Sequence, residues 1–268
     1  MFAVLLALQL SGCAATSSFI NRGAFCEDLA ARNGFTKELI DAGTFKLLSY
    51  TRFTKRIEPV TIYIEGDGLA WKSRRCLSDD PTPKDTLVVE LASVDPSENT
   101  AYLARPGQYS LSGASECESA YWSSKRFSEE VIASMNMAVD RLKRISGADK
   151  VDLVGYSGGG AIAVLVAARR NDVASIRTIA GNLDTEALNR HHGVSALTGS
   201  LNPIDYASAI SKVPQRHFVG TGDKTVPAFI AESFARRAGD NSGGSVIKVE
   251  GATHNTGWRE KWPELLRK

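Results

Sequence analysis

The sequence contains no cluster of basic residues, no stripe that interleaves aromatic and basic residues, and no heptad pattern, internal repeat or low-complexity tract. Its 32 lysines and arginines nearly balance its 30 aspartates and glutamates, so the formal net charge is only +2. These absences argue against a nucleic-acid-binding protein. We therefore expect no nucleic-acid partner, and the charge balance by itself indicates no other partner.

The composition is that of an ordinary globular protein. Of the 268 residues, 43% are hydrophobic and 23% are charged. A chain of this length can bury a sizeable core as a single α/β domain. No shift in composition along the chain marks a second domain.

The N-terminus begins with an apolar stretch, MFAVLLALQLSGCAATSS (residues 1–18). It is too short to span a bilayer comfortably and ends in small residues, as export signals do. It resembles the signal peptide of bacterial lipoproteins, with LSGC (residues 10–13) in the place of the lipobox, although no lysine or arginine precedes the apolar region. The alternative is a buried first helix that happens to contain a cysteine.

The lipoprotein resemblance carries several expectations. It implies that residues 1–12 are a cleaved signal peptide and that the Cys13 thiol carries a lipid that anchors the protein to a membrane. The protein would then lie in the bacterial cell envelope, an oxidising compartment. Ala14, which follows the cysteine, favours the outer membrane by analogy with that family.

The four cysteines allow few pairings. If Cys13 is lipidated, Cys26, Cys76 and Cys117 can form at most one internal disulfide and leave one free thiol. Cys76 and Cys117 both lie in polar, loop-like stretches, so they are the better pair. Three unpaired cysteines are the alternative, because a sequence does not supply the geometry that a disulfide needs.

Strands and helices alternate along most of the chain, which is typical of a mainly parallel sheet covered by helices on both faces. The apolar pattern predicts a helix over residues 24–42, within an N-terminal helical lead-in of residues 13–44. The clearest helix covers residues 128–146, with Ser128 as its N-cap and Gly147 as its stop. Further strands are predicted in FKLLSYTRF, VTIYI, TAYLARP, VDLVGYS, ASIRTIAG, RHFVGTGD and SVIKVEGATH, and further helices at about 84–94, 158–170, 227–238 and 257–268.

One long segment, residues 182–212, interrupts this alternation. Its sequence indicates an irregular conformation. Loops of this length inside a compact domain are usually functional or disordered. We therefore expect a small insertion, which would be a lid over a site at the edge of the sheet.

A cluster of glycines surrounds Ser157 in VDLVGYSGGGAIAVLVAARR (residues 151–170). Residues 155–159 (GYSGG) fit G-x-S-x-G, the nucleophile elbow, in which small neighbours relieve crowding around a strained serine between a strand and a helix. Residues 158–163 also fit, loosely, the G-x-G-x-x-[GA] loop that binds the pyrophosphate of a dinucleotide.

The position of the cluster in the chain favours the elbow. A dinucleotide-binding loop usually follows the first strand of its domain, with an acidic residue about twenty positions later. Here at least three predicted strands precede the glycine cluster. Asp184, which follows the next predicted strand, lies later in the chain than this spacing requires. A nucleophilic serine, by contrast, needs a base, an acid and an oxyanion hole, and the chain offers each of them after a strand.

His254 is the candidate general base. It lies in GATHN, directly after the last predicted strand, where an imidazole can reach the carboxyl edge of the sheet. His217 begins a predicted strand, and His191 and His192 lie in the irregular segment. A loop histidine alone carries little information, but His254 completes a Ser, Asp, His order along the chain.

Two residues are candidates for the acid that orients this histidine. Asp223, in VGTGDKTVP, and Asp184, in AGNLD, both follow a predicted strand. Asp223 lies in a glycine-flanked turn one strand before the histidine, so we favour it, although an aspartate in such a turn can also be purely structural.

The oxyanion hole would use two backbone N–H groups. One belongs to Gly158, directly after the nucleophile, and the other to the loop EGDG that follows VTIYI. Asp67 is the expected donor in that loop, and Gly68 is the alternate. By itself EGDG is only a tight turn.

Taken together, these motifs resemble those of the α/β-hydrolase superfamily over residues 45–268. The segments YLARPGQY, YWSSKRFSEEVI, GYSGGGA, HHGVSALTGSLNP and PQRHFVGTGD further resemble a group of bacterial α/β-hydrolase lipoproteins. The resemblance implies an α/β-hydrolase fold with a small insertion after the sixth strand, no cofactor or metal, and a serine hydrolase that cleaves a small-molecule or lipid ester, a thioester or an amide.

Two other functions remain open at the level of sequence. A lipoprotein without catalytic activity could keep the hydrolase fold as a binding scaffold, since a fold alone does not entail a function. A nucleotide-binding oxidoreductase is the second alternative. An unreactive Ser157 would indicate the first, and a cofactor retained on purification would indicate the second.

Overall fold

The computed structural model describes residues 14–73, 75–109, 117–240 and 244–268. Cys13 and the expected signal peptide lie outside these ranges. The strands are β1 (Thr36–Ala42), β2 (Phe45–Phe53), β3 (Val60–Ile64), β4 (Trp71–Ser73), β5 (Cys76–Leu77), β6 (Asn99–Leu103), β7 (Val151–Tyr156), β8 (Val173–Ile179), β9 (Gln215–Gly220) and β10 (Val246–Val249). The α-helices are α1 (Ala14–Arg32), α2 (Leu87–Ser93), α3 (Glu129–Ser146), α4 (Gly158–Ala167), α5 (Thr185–His192), α6 (Ala228–Arg237) and α7 (Trp258–Leu265), and 3₁₀ helices span Ser119–Trp122 and Pro203–Ile210.

The described residues form an eight-stranded sheet in the order β1-β2-β6-β3-β7-β8-β9-β10. Strand β2 pairs antiparallel with both of its neighbours, β1 and β6. The other six strands are parallel to one another, namely β6, β3, β7, β8, β9 and β10 in their order across the sheet. Strands β4 and β5 form a separate two-stranded ribbon. The carboxyl ends of the parallel strands therefore meet at one edge, where ligands of open α/β sheets usually bind.

Helices cover both faces of the sheet. Buried side chains of α3, α4 and α6 form a core cluster on one face, and those of α1, α2 and α7 form a cluster on the other. In α3, Val131, Met135, Val139 and Leu142 share the buried face, at the spacing of an amphipathic helix. Each such side chain contributes about 1.5–3 kcal/mol when it is removed from water.

The ends of α3 also agree with the prediction. The Ser128 hydroxyl accepts a hydrogen bond from the Val131 N–H at 3.4 Å, and Gly147 follows the helix in the left-handed conformation, with φ 74°. A cap of this kind satisfies backbone groups that the helix itself leaves unpaired.

The predicted helix over residues 24–42 is wrong in its second half. Helix α1 ends at Arg32, Gly34 has φ 78°, and residues 36–42 form the edge strand β1. A two-residue turn then joins β1 to β2, because Ala42 pairs with Phe45. In this strand Ile40 and Ala42 point into the core, so the alternating pattern of a half-buried strand prevails over the helical spacing.

The predicted disulfide between Cys76 and Cys117 is also wrong. Cys26, Cys76 and Cys117 are all free thiols within the described ranges. Cys76 is exposed on the β4–β5 ribbon, whereas Cys117 is half-buried and packs against the core cluster that contains α3. Cys26 lies in the core of the opposite face. The three thiols thus occupy different environments, and the alternative with no disulfide agrees with the structure.

The insertion at residues 182–212 is more regular than its sequence indicates. It contains α5 and the 3₁₀ helix Pro203–Ile210. Ala207 and Ile210 of this 3₁₀ helix are buried in the same core cluster as α4, so the second half of the insertion belongs to the body of the domain.

No helix within the described ranges is both long enough and apolar enough to cross a membrane.

Candidate active site

Ser157 lies at the sharp turn between β7 and α4. Its φ of 51° and ψ of −118° are unusual for a residue with a side chain, and such strain costs about 1–3 kcal/mol. The turn is held by backbone hydrogen bonds: the Ser157 N–H donates to the Ile179 carbonyl at 2.9 Å, and the Ser157 carbonyl accepts from Gly160 and Asn182 at 3.0 and 2.9 Å. These are the backbone features expected of a nucleophile elbow.

The glycines around Ser157 are needed for close backbone packing. A Cβ atom on Gly155 would lie 2.2 Å from the Gly159 carbonyl oxygen, and one on Gly159 would lie 2.2 Å from the Ile64 carbonyl oxygen. The glycines thus allow the turn to pack on itself and on the end of β3. This accounts for the glycine cluster without a bound phosphate.

The structure brings Ser157, His254 and Asp223 together in one chain of contacts. Nε2 of His254 lies 3.1 Å from Ser157 Oγ, and Nδ1 lies 2.9 Å from Asp223 Oδ2. The other carboxylate oxygen of Asp223 accepts hydrogen bonds from the Thr225 and Val226 N–H groups, each at 2.8 Å. The Asp223 carboxyl group is fully buried, which fixes it against the imidazole.

Two aromatic residues hold the loop that carries His254, and sequence reasoning missed both. The Tyr156 hydroxyl donates to the His254 carbonyl oxygen, 3.0 Å away, and also lies 2.6 Å from Asn255 Oδ1. The Trp258 indole N–H donates to the Thr253 and His254 carbonyl oxygens at 2.9 and 3.0 Å. Tyr156 stands directly before the serine, so the same strand end supports the serine and the histidine.

The alternative acid, Asp184, has a different task. Its Oδ1 accepts from the Ala187 N–H at 3.0 Å as the N-cap of α5, and from Asn202 Nδ2 at 3.2 Å.

The other histidines lie away from Ser157. His217 is fully buried beside Phe234, and its pKa is lowered to about 4 because burial disfavours the charged form. Nε2 of His192 lies 2.8 Å from the Thr225 carbonyl oxygen, so α5 contacts the loop of Asp223.

The predicted oxyanion donors also lie side by side. A Cβ atom on Gly158 would be 2.1 Å from Asp67 Oδ1, so the Asp67 side chain packs on the residue after the serine. Neither backbone N–H donates a hydrogen bond within the part of the chain that the structure describes. Gly68, the alternate, packs instead against the Pro81 carbonyl oxygen, which a Cβ atom on it would approach to 2.1 Å. The Gly68 N–H likewise makes no hydrogen bond among the described residues, so the choice of Asp67 over Gly68 stays a prediction.

Sequence reasoning also missed the side chains that hold this loop. Gln108 Nε2 donates to the Gly66 carbonyl oxygen at 2.9 Å, and Gln108 Oε1 accepts from the Arg105 N–H at 3.0 Å. The Arg105 guanidinium donates to Asp67 Oδ1 and, at 2.9 Å, to the Arg126 carbonyl oxygen. The sequence marked these side chains only through the resemblance of two segments, YLARPGQY, which contains Arg105 and Gln108, and YWSSKRFSEEVI, which contains Arg126.

Glu65 is a buried carboxyl group at the start of the same loop. Burial raises its pKa from 4.5 to about 7, against hydrogen bonds from Gly66 and Tyr102 that lower it. The Gly66 N–H donates to Oε1 at 2.8 Å and the Tyr102 hydroxyl donates to Oε2 at 3.0 Å. Its titration therefore affects the base of the loop that holds Asp67.

We expect Glu65 to make the stability of the protein depend on pH. Between pH 4.5 and about 7 the native state retains a proton that the unfolded chain has lost, so the free energy of unfolding falls as the pH rises through this window. Glu65→Gln should therefore stabilise the protein relative to wild type by about 2 kcal/mol more at about pH 8 than at about pH 5. Urea unfolding at both pH values measures the difference, with the exposed Glu264→Gln as the control. An equal effect at the two pH values would contradict the assignment.

The described residues bring no three His, Cys, Asp or Glu side chains together in a way that could hold a metal ion. The site presents a hydroxyl, an imidazole and a carboxylate. A neutral imidazole can take the proton of Ser157 Oγ through Nε2, while the carboxylate holds the proton on Nδ1.

Comparisons with known proteins identify the fold. No protein-family model matches the sequence, and no curated protein matches it. Among solved structures, Est1E from Butyrivibrio proteoclasticus superposes with a TM-score of 0.62 at 15% identity, over 86% of this chain and 96% of that one. An alpha-beta serine hydrolase homologue from Coxiella burnetii superposes with a TM-score of 0.55 at 16% identity, over 87% and 94%. The esterase Pf2001 from Pyrococcus furiosus superposes with a TM-score of 0.61 at 13% identity, over 88% and 92%. The chain therefore has the α/β-hydrolase fold, as its sequence predicted.

Proposed function

We propose that this protein is a serine hydrolase that cleaves an ester, a thioester or an amide through an acyl-enzyme on Ser157. The observation that carries the proposal is the contact chain from Ser157 Oγ through both nitrogens of His254 to Asp223, at 3.1 and 2.9 Å. The esterases and the serine hydrolase homologue that share the fold support the reaction class.

Ser157, His254 and Asp223 have distinct roles in the proposed reaction. His254 Nε2 removes the proton from Ser157 Oγ as the oxygen attacks the substrate carbonyl carbon, and the imidazolium then gives this proton to the leaving group. Asp223 keeps the proton of the imidazole on Nδ1 and stabilises the imidazolium. In the second half-reaction the same imidazole activates water, which releases the acid and restores the serine.

The negative oxygen of the tetrahedral intermediate would be bound by the backbone N–H groups of Asp67 and Gly158. Both are unpaired in the described structure, and they come from the two turns that meet at the end of β3 and β7. Preorganised donors of this kind each contribute about 2.7–4 kcal/mol to transition-state stabilisation.

Rapid mixing with chromogenic esters of increasing acyl length tests the acyl-enzyme. If acylation is faster than deacylation, the alcohol should appear in a burst whose amplitude equals the enzyme concentration, followed by a slower linear phase. An excess of hydroxylamine should raise the steady rate, because it competes with water for the acyl group. A protein that hydrolyses none of the esters and traps no acyl group would instead be a binding scaffold with a hydrolase fold.

We further propose that the mature protein is a lipoprotein of the bacterial envelope, anchored through Cys13. The support is the LSGC sequence after an apolar stretch that ends in small residues. A lipid ester in the same membrane would then be within reach of the site. A single acyl chain gives only weak attachment, so a stable anchor needs more than one chain.

Metabolic labelling with a fatty-acid analogue tests the anchor. Wild-type protein expressed in bacteria should incorporate the label, and Cys13→Ser should incorporate none, because the thiol is the attachment point. Cys26→Ser, which changes a buried cysteine, is the matched control and should be labelled like wild type. Label retained on Cys13→Ser would exclude the lipobox.

A further inference from the structure

Three charged side chains lie beside the elbow: Asp67, Arg105 and Arg126. Arg105 Nη1 donates to Asp67 Oδ1, and Arg126 Nε lies 3.4 Å from Asp67 Oδ2. The three residues come from separate parts of the chain, namely the loop after β3, the segment after β6 and the segment before α3. None of them belongs to the contact chain of Ser157, His254 and Asp223.

The cluster lies directly against the residue that follows the serine. A Cβ atom on Gly158 would be 2.1 Å from Asp67 Oδ1 and 2.6 Å from Arg105 Nη1. The positive charge that His254 carries when protonated also lowers the pKa of Asp67. A substrate carbonyl bound at Ser157 would therefore lie close to the charges of Asp67 and Arg105.

The cluster carries an excess of positive charge. Burial alone raises the pKa of Asp67, but the charges of Arg126 and Arg105 lower it, and the net pKa lies below its ordinary value. Asp67 is thus ionised at neutral pH, and arginine does not lose its proton in proteins. Two guanidinium groups face one carboxylate. Glu65, the other nearby carboxyl group, directs its oxygens to Gly66 and Tyr102.

The two arginines are not equivalent. Arg105 is 4% exposed, and its terminal nitrogens donate to Asp67 and to the Arg126 carbonyl oxygen. Arg126 donates no side-chain hydrogen bond within the described residues: its Nε is buried and makes only the 3.4 Å ion pair. Its guanidinium lies over the Phe127 ring, 5.3 Å from the centroid, so the group is held in place with its terminal N–H groups unpaired.

The position of Arg126 separates it from the oxyanion donors. Asp67 Oδ1 faces Gly158 and Arg105, whereas Oδ2 faces Arg126. The Asp67 carboxylate therefore stands between the Gly158 backbone and the Arg126 guanidinium. A group that Arg126 binds would belong to a part of the substrate beyond the reacting carbonyl. A planar guanidinium with two unpaired terminal nitrogens matches a carboxylate, which it can bind with two parallel hydrogen bonds.

We infer that the substrate carries a carboxylate close to the scissile bond, and that Arg126 is the residue that binds it. This inference rests on the proposed serine-hydrolase function. Arg105 and Arg126 together face the single negative charge of Asp67, which leaves one positive charge on the Arg126 side of the cluster for the substrate. The protein should therefore prefer acidic esters over neutral esters of the same shape.

Matched pairs of esters test this preference on both sides of the scissile bond. On the acyl side, the para-nitrophenyl monoester of adipic acid is compared with para-nitrophenyl hexanoate. On the alcohol side, meta-acetoxybenzoate is compared with meta-acetoxybenzamide. The wild-type kcat/KM should be higher for the acidic member of at least one pair. Arg126→Gln should lower that preference roughly 10- to 100-fold, because kcat/KM for the acidic member should fall much more than kcat/KM for the neutral member.

Two further variants serve as controls. Arg126→Lys should recover part of the preference, because it keeps the charge and loses the planar fork. Lys125→Gln removes the same charge from the neighbouring residue, whose ammonium lies 5.7 Å from the Tyr121 ring centroid, and should leave the preference unchanged. If Arg126→Gln lowers both members of a pair equally, or leaves the ratio unchanged, the inference is wrong.

A separate readout distinguishes this failure from failure of the proposed function. Fluorophosphonate labelling of Ser157 reports the reactive serine whatever the ester preference. Adipate should slow this labelling in wild type and not in Arg126→Gln, even if none of the four esters is a good substrate. If adipate does not slow the labelling and the esters show no preference, the inferred substrate carboxylate is wrong, whereas the proposed serine-hydrolase function still stands. A protein that is not labelled would reject both.

Discussion

Replacement of Ser157 by alanine is expected to abolish ester hydrolysis and to leave the protein folded. The Ser157 side-chain hydroxyl contacts His254 and makes no other hydrogen bond among the described residues. Loss of the nucleophile should therefore lower kcat by about 10⁴- to 10⁶-fold. The free energy of unfolding should change by less than about 1 kcal/mol, because alanine keeps the Cβ atom and the same positive φ.

Steady-state kinetics and thermal melts on the same preparation measure both effects. Ser211→Ala removes a hydroxyl from an exposed serine away from the elbow and is the matched control. It should keep the wild-type kcat. Substantial activity in Ser157→Ala, with the melting temperature unchanged, would show that another residue attacks the substrate.

Asp223→Asn should lower kcat by roughly 10³- to 10⁴-fold. The Asp223 oxygen that accepts from Thr225 and Val226 can be kept as the amide oxygen, so the turn should keep its shape. The amide NH₂ would then face His254 Nδ1, where the carboxylate oxygen now accepts at 2.9 Å. A donor at this position favours the tautomer with the proton on Nε2, which cannot accept the proton of Ser157.

Asp184→Asn is the matched control, because it makes the same change in the other candidate acid. The asparagine oxygen can still cap α5 by accepting from the Ala187 N–H, as the aspartate does at 3.0 Å. Its stability should change by about 1 kcal/mol or less, and its kcat should stay close to wild type. Single-turnover rates for both variants decide between the acids. A large loss of rate confined to Asp184→Asn would move the acid to the end of β8.

Local sequence signals predicted most of the fold. The capped helix α3 and the apolar strands β3 and β7 needed only their own residues to be recognised. The helix predicted over residues 24–42 failed because Gly34 and the turn after Ala42 outweighed the apolar spacing, and because strand β1 exists only through its pairing with β2. Edge-strand pairing of this kind is a tertiary effect that a single segment does not encode.

The candidate site was predicted where a motif or the chain order marks it. Ser157, Asp223 and His254 each follow a strand, and the α/β-hydrolase pattern orders them. The side chains that support these three residues are not identified by a motif or by the chain order. Arg105 reaches Asp67 across 38 positions, and Tyr156 reaches Asn255 across 99. The incorrect disulfide prediction also failed because it needed long-range information. The polar sequences around Cys76 and Cys117 indicated loops and gave no distance between the two residues.

The site of fluorophosphonate modification identifies the nucleophile directly. The probe forms a covalent bond with a serine only where a neighbouring base activates the hydroxyl, which is the property assigned to Ser157. Intact mass spectrometry should show one probe per molecule of wild type, peptide mapping should place it on Ser157, and Ser157→Ala and His254→Ala should stay unmodified in their folded state. Wild-type protein that stays unmodified, or a probe attached to a different residue in folded protein, would show that Ser157 is not an activated nucleophile.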